Sequence, residues 1–232
     1  MNYNGQAELK DGSFTVITAA SQGSTLGSQI SDFVGMYHAS AYLPEYGQSI
    51  SWDTVKIYTY TSSDNEEWVC VTGLIGAEED VAVGKFNATN KAIQLHRGLH
   101  YKSNTFTLQD YGDTLFYSVF YPIYFNSESD CGLIESMEDG EAWLTFNSDK
   151  ELILGPSNTA DSQGHFADGY IFGFFYHDDN EFAGWNYILT QLVLTKFSSV
   201  VEAPARVPKQ VQWHAPMKLP AKMQNNKALR RR

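Results

Sequence analysis

The chain has 232 residues, a net charge of −11, 14% aromatic side chains and two cysteines. That length suffices for one β-barrel or sandwich with its own core, or for two small domains. Two cysteines exclude a disulfide-framework scaffold, and no run approaches the roughly 18 apolar residues that a membrane helix needs.

Residues 1–31 are rich in turn signals, with one β-like stretch, Phe14-Thr15-Val16-Ile17-Thr18. They are expected to form a leading strand and a linker. Met1-Asn2-Tyr3-Asn4-Gly5 lacks the basic and apolar regions of a signal peptide. The expectation is an extracytoplasmic protein (periplasmic, outer-surface or secreted) whose signal peptide is not part of this sequence, with a cytosolic chain as the alternative.

From Phe33 onward side chains alternate with period 2, which predicts strands at 33–42, 50–61, 66–75, 81–86, 91–96, 115–125, 142–146, 150–155, 170–177 and 185–197. Turn signals separate them, among them Pro44-Glu45-Tyr46-Gly47, Asn87-Ala88-Thr89-Asn90 and Asn147-Ser148-Asp149. Two hairpins stand out. One joins Val81–Phe86 to Lys91–Leu95, and the other joins Ala142–Phe146 to Glu151–Leu154, with Trp143 expected in the core. Short strands at this spacing predict an all-β, antiparallel meander barrel or β-sandwich over residues 32–200. The segment from Gly155 to Gly169 carries no apolar period and reads as a long loop.

Beyond residue 200 the pattern stops. From Ala203 to Arg232 there are 8 Lys and Arg and no acidic residue, with Pro204, Pro208, Pro216 and Pro220 between them. Residues 201–232 therefore read as a disordered basic tail, and removal of 203–232 is expected to leave the stability of the fold nearly unchanged. The rest of the chain holds 8 basic against 27 acidic residues, a net of −19. So acidic a body is a poor surface for phosphates, and no nucleic acid is expected to bind the fold. The tail is read either as a tether to an anionic surface or as a linker.

The run Val34-Gly35-Met36-Tyr37, the strands Ser51–Ile57 and Trp68–Val71, the hairpin Gly84–Leu95, and the later Glu141–Phe146 and Gly169–Phe172 carry a resemblance. Together they resemble a module of secreted and lipid-anchored surface proteins of gut-type Gram-negative bacteria, in which a Gly-x-Tyr strand opens an antiparallel meander. That family resembles calycin or lipocalin-like barrels. The resemblance covers about residues 33–197. It implies a calycin-like barrel in an extracytoplasmic binding or structural protein, with no residue roles to carry over.

Catalytic signatures are weak. His96 and His100 are four apart, but Gly98 between them argues against the helix that would align them as metal ligands. His177-Asp178-Asp179-Asn180 and Asp161–Asp168 offer oxygen ligands without the spacing of an EF-hand. Adjacent carboxylates such as Glu66-Glu67 point to opposite faces of a strand, so adjacency makes no hydrolytic pair. No catalytic residue, metal or cofactor is expected.

Aromatics are the better lead. Tyr170, Phe172, Phe174 and Tyr176 share one strand face, with Trp185 and Tyr187 following. They are the candidate ligand-binding residues, as cavity wall or platform; plain core packing or a central strand covered on both faces is the alternative. The expected function is non-catalytic binding of a small apolar ligand, a glycan or a protein partner. The alternatives are an assembly subunit of the surface-fibre or capsid-decoration type, docking through the basic tail, and a β-sandwich glycosidase.

Overall fold

The computed structural model describes residues 26–62, 65–76, 80–100, 105–127, 130–134, 141–155, 164–201 and 212–213. Most of 1–31 and most of 201–232 lie outside them. One helical turn, α1 (Ile30–Phe33), precedes β1 (Gly35–Leu43), β2 (Gln48–Thr61), β3 (Glu67–Thr72), β4 (Val81–Asn87) and β5 (Ala92–His96). Then come β6 (Leu99–His100), β7 (Phe106–Thr107), β8 (Leu115–Ser127), β9 (Asp130–Leu133), β10 (Glu141–Phe146) and β11 (Leu152–Gly155). The last are β12 (Gly169–Tyr176), β13 (Phe182–Trp185), β14 (Leu189–Ser198) and β15 (Gln212–Trp213).

Eight strands close into an antiparallel barrel in the order β1-β2-β3-β4-β5-β10-β11-β14, with β14 returning to β1. Between a barrel and a sandwich, the fold is the barrel. Closure leaves these eight strands no open edge. It depends on Gly35, where a Cβ would stand 2.5 Å from the Ser198 carbonyl oxygen of β14.

Both predicted hairpins form by one device. The Asn147 side chain accepts the Asp149 and Glu151 amides at 2.9 Å each, and Asn87 accepts the Asn90 amide at 3.0 Å. Positive φ falls on Lys150 and Lys91 rather than on the asparagines. Each asparagine caps its loop and leaves the left-handed position to a lysine.

The two ends of the barrel are closed differently. At one end Phe33 of α1 packs against Phe86 and Phe146, with ring centroids 5.6 and 4.9 Å apart. Lys196 of β14 clamps this helix end: its Nζ donates to the Asp32 and Val34 carbonyls at 2.5 and 2.8 Å and lies 5.5 Å from the centre of the Tyr37 ring. The Tyr37 hydroxyl donates to the Phe33 carbonyl.

At the other end the long excursions between β5 and β10 and between β11 and β14 build a lid sheet. In it β8 and β12 pair from Ile123↔Gly169 to Phe116↔Tyr176, flanked by β7, β9 and β13. Phe116, Phe120, Tyr170, Phe172 and Phe174 join the barrel's own inward side chains in one core. Tyr117, Val119, Tyr121, Ile171 and Phe175, on the other face, form a second cluster with Trp185 and Ile188. β12 is thus a strand covered on both faces.

The predicted strand 185–197 is two. Trp185 still pairs with Gly173 of β12, whereas Ile153 and Leu152 of β11 pair with Val193 and Leu194. The Asn186 amide still donates to the Phe172 carbonyl of β12 at 2.9 Å, and the run breaks just after it, where the Asn186 side chain accepts the Tyr187 amide at 2.7 Å.

Candidate functional site

The six aromatic residues singled out in the sequence do not form one wall. Tyr170, Phe172 and Phe174 are wholly buried in the barrel core, with half-buried Tyr176 at its border. The Phe120 ring stands 5.9 Å from Tyr170 and 5.7 Å from Phe172. Trp185 lies across β12 in the other cluster, edge-on to Tyr121 at 5.4 Å. Tyr187 follows the break after β13 and reaches the rim of the lid end.

That rim gathers polar and aromatic groups from five segments. The turn after β1 presents Glu45 and Tyr46, because Pro44 opens a short helical turn and Gly47, at φ 60°, ends it. Tyr46 is 55% exposed, and its ring meets Tyr187 edge-on at 5.6 Å. From β8, Tyr124 stacks on His165 at 3.8 Å with an interplanar angle of 8°. Phe166 beside it is 45% exposed. The Asp168 carboxylate accepts the Phe125 amide at 2.8 Å, which ties the segment before β12 to β8. On β9, Gly132 lies against the Tyr124 ring, where a Cβ would have only 3.0 Å.

Strand pairing brings two of these pieces together: Thr190 of β14 pairs with Tyr42, just before the turn after β1, and with Gly169, just after Asp168. Burial, then the charges of Asp130 and Glu45, holds the Cys131 thiol above its usual range. Burial raises the Glu45 carboxyl. It raises Asp168 too, against the opposing pull of its backbone hydrogen bonds. A carboxyl partly shielded from water is a stronger hydrogen-bond partner for a ligand hydroxyl than one in bulk solvent. The rim therefore combines accessible ring faces with carboxyl acceptors at their edge.

The residues considered for metal binding diverge. His96 meets Trp68 edge-on at 6.4 Å, whereas His100 is buried and stacks on Tyr117 at 4.8 Å. His177 contacts Asp178 at 3.3 Å in an exposed turn. Residues 161–163 lie outside the described part. Among the described residues no group of three or more metal-ligating side chains occurs. Cys70 and Cys131 are separate thiols in different clusters.

Glu45, Tyr46, Tyr124 and His165 were not among the candidate ligand-binding residues of the sequence. Pro44-Glu45-Tyr46-Gly47 reads as punctuation, although a tyrosine placed in a tight turn is a signal of its own. Comparison with family models, with curated proteins and with solved structures gave no match.

Proposed function

We propose that this chain is a non-catalytic, extracytoplasmic glycan-binding protein that recognises its ligand on the rim of the lid end. The observation that carries this is the exposed Tyr46 ring, set edge-on against half-buried Tyr187, on the same rim as the partly shielded carboxyls of Glu45 and Asp168. Sugar rings offer apolar faces to aromatic side chains and hydroxyls to carboxylates, so both halves of the patch have a use.

A small apolar ligand inside the barrel is the less favoured reading. Eight strands enclose a space that side chains can just fill. Here the lid sheet adds Phe116, Phe120, Tyr170, Phe172 and Phe174 to it. Displacing even one such ring costs about 3–5 kcal/mol by analogy with aromatic truncations. The extracytoplasmic location is supported by the calycin-like pattern that begins at Gly35-Met36-Tyr37 and by the acidic, aromatic composition.

The test is a glycan array probed with the labelled protein and with the double variant Tyr46→Ala/Tyr187→Ala. Losing two ring contacts at about 0.5–1.5 kcal/mol each lowers affinity at least about fivefold. Tyr46→Ala alone should leave the melting temperature unchanged, because that ring is exposed, whereas half-buried Tyr187 packs on the core and circular dichroism must show the double variant folded. Absence of any glycan signal, or a signal that survives the double variant, rejects the rim.

A further inference from the structure

We propose that the rim selects its ligand by charge: it takes a sugar that carries a free amine, a hexosamine unit, and excludes anionic glycans. This rests on the rim reading above and adds the chemical class of what binds there. The described segments that build the rim are 43–47, 124–127, 130–134, 164–169 and 186–188. They carry the carboxylates of Glu45, Asp130 and Asp168 and no lysine or arginine. Their single histidine, His165, has its ring stacked on Tyr124 at 3.8 Å.

The lysines and arginine of the described residues stand elsewhere. Lys91 and Lys150 close the two hairpin turns beside Phe86 and Phe146, at the helix end. Lys196 clamps α1 at the same end, and Lys56 pairs with Met36 at the start of β1. Lys85, next to Phe86, reaches Glu66 at 3.3 Å and lies 4.4 Å from the centre of the Trp68 ring. Arg97 follows β5 toward the lid but is buried. It donates to the Ile134 carbonyl at 2.7 Å and lies 5.8 Å from the centre of the Tyr121 ring.

The rim carboxylates are positioned without being neutralised. Asp168 accepts the Phe125 amide at 2.8 Å, and Asp130 accepts the Asn126 side-chain amide at 3.0 Å. Both donors are uncharged, and a carboxylate has about four acceptor sites, so each keeps its charge and room for a ligand. A surface of one sign concentrates ligands of the other and repels its own. An ammonium brings three donors, and its charge-assisted bonds are roughly twice as strong as those of a neutral hydroxyl. It also gains from the exposed face of Tyr46. N-acetylation removes that charge, whereas a uronate or sulfate would meet Glu45, Asp130 and Asp168 with no described lysine or arginine beside them.

The full chain is titrated calorimetrically with chitosan tetrasaccharide, with its fully N-acetylated counterpart and with tetragalacturonate. At low ionic strength the free-amine sugar should bind about fivefold tighter than the N-acetylated one, as two part-exposed ion pairs allow, and the galacturonate should not bind. At about 1 M salt, where charges are screened within roughly 3 Å, the ratio should approach one. Glu45→Gln should lower the ratio at low salt, and Tyr46→Ala should weaken both sugars. If the N-acetylated sugar binds as tightly as the amine, or the galacturonate binds, and Tyr46→Ala abolishes that binding, the charge inference is overturned while the rim reading stands. Amine binding indifferent to both Tyr46→Ala and Glu45→Gln is adsorption to an acidic chain and overturns the inference too. No binding by any of the three, with a silent glycan array, removes the rim reading and this inference together.

Discussion

Tyr170→Phe removes one oxygen and no volume, so it isolates the attachment of the lid to the barrel. The Tyr170 hydroxyl donates to the Leu74 carbonyl at 2.6 Å, in the turn between β3 and β4. Tyr170 is wholly buried, and burial, then the Asp80 charge, keeps its phenol protonated as a donor. A neutral hydrogen bond contributes about 0.5–1.5 kcal/mol net, and a buried acceptor left alone adds up to about 1–3 kcal/mol. The expected loss is about 2 kcal/mol in urea denaturation followed by tryptophan fluorescence. The loss should fall first on the lid. If the sheet of β8 and β12 opens as a unit, 2 kcal/mol speeds amide exchange there about 30-fold. Exchange in β2 and β3, on the barrel wall, should change less. A loss under about 0.5 kcal/mol with unaltered exchange in β12 would refute the docking of the lid on that turn.

Lys196→Met removes both donors to the Asp32 and Val34 carbonyls. With two charge-assisted bonds lost it should cost about 3 kcal/mol in the same denaturation assay, and a cost under about 1 kcal/mol would show the clamp to be idle. Trp143, on the outer face of β10 yet only 7% exposed, should cost roughly 3 kcal/mol or more when replaced by alanine. A negligible cost would mean that its ring is not packed in solution. Alkali should unfold the protein cooperatively. Burial raises the phenols of Tyr37, Tyr121 and Tyr170, and pushes Tyr117 up to about 12. Unfolded tyrosines ionise near 10, so stability is whole below about pH 10 and is lost as pH climbs from there toward 12. Tyrosinate absorbance and circular dichroism should change together; smooth ionisation near 10 with the fold retained contradicts this.

Alternation in the sequence was enough to find the barrel strands, because burial of one face imposes period 2 wherever a strand lies on the core. Gly35-Met36-Tyr37 and the two Asn-initiated hairpins were legible for the same local reasons. The strands β6, β7, β9 and β13 were not, since two to four residues carry too little pattern. Closure of β1 on β14 is a pairing between distant segments that no local signal announces. The aromatic run of β12 was visible, but which rings meet depends on β8 lying beside it and on Asn186 ending the pairing with β13. That is why Trp185 stands on the far side of β12 from Tyr170 and Phe172. The rim was hidden for a similar reason: Tyr46 and Tyr187 are far apart in the chain, and only the barrel's curvature joins them.

Titration of the native protein with cis-parinaric acid, an apolar fluorescent fatty acid, asks most directly whether the barrel has room inside. With the lid rings seated in the lumen, no saturable rise in probe fluorescence and no quenching of tryptophan should follow. Uptake of one molecule per chain that saturates would contradict a filled interior and move recognition from the rim to the lumen.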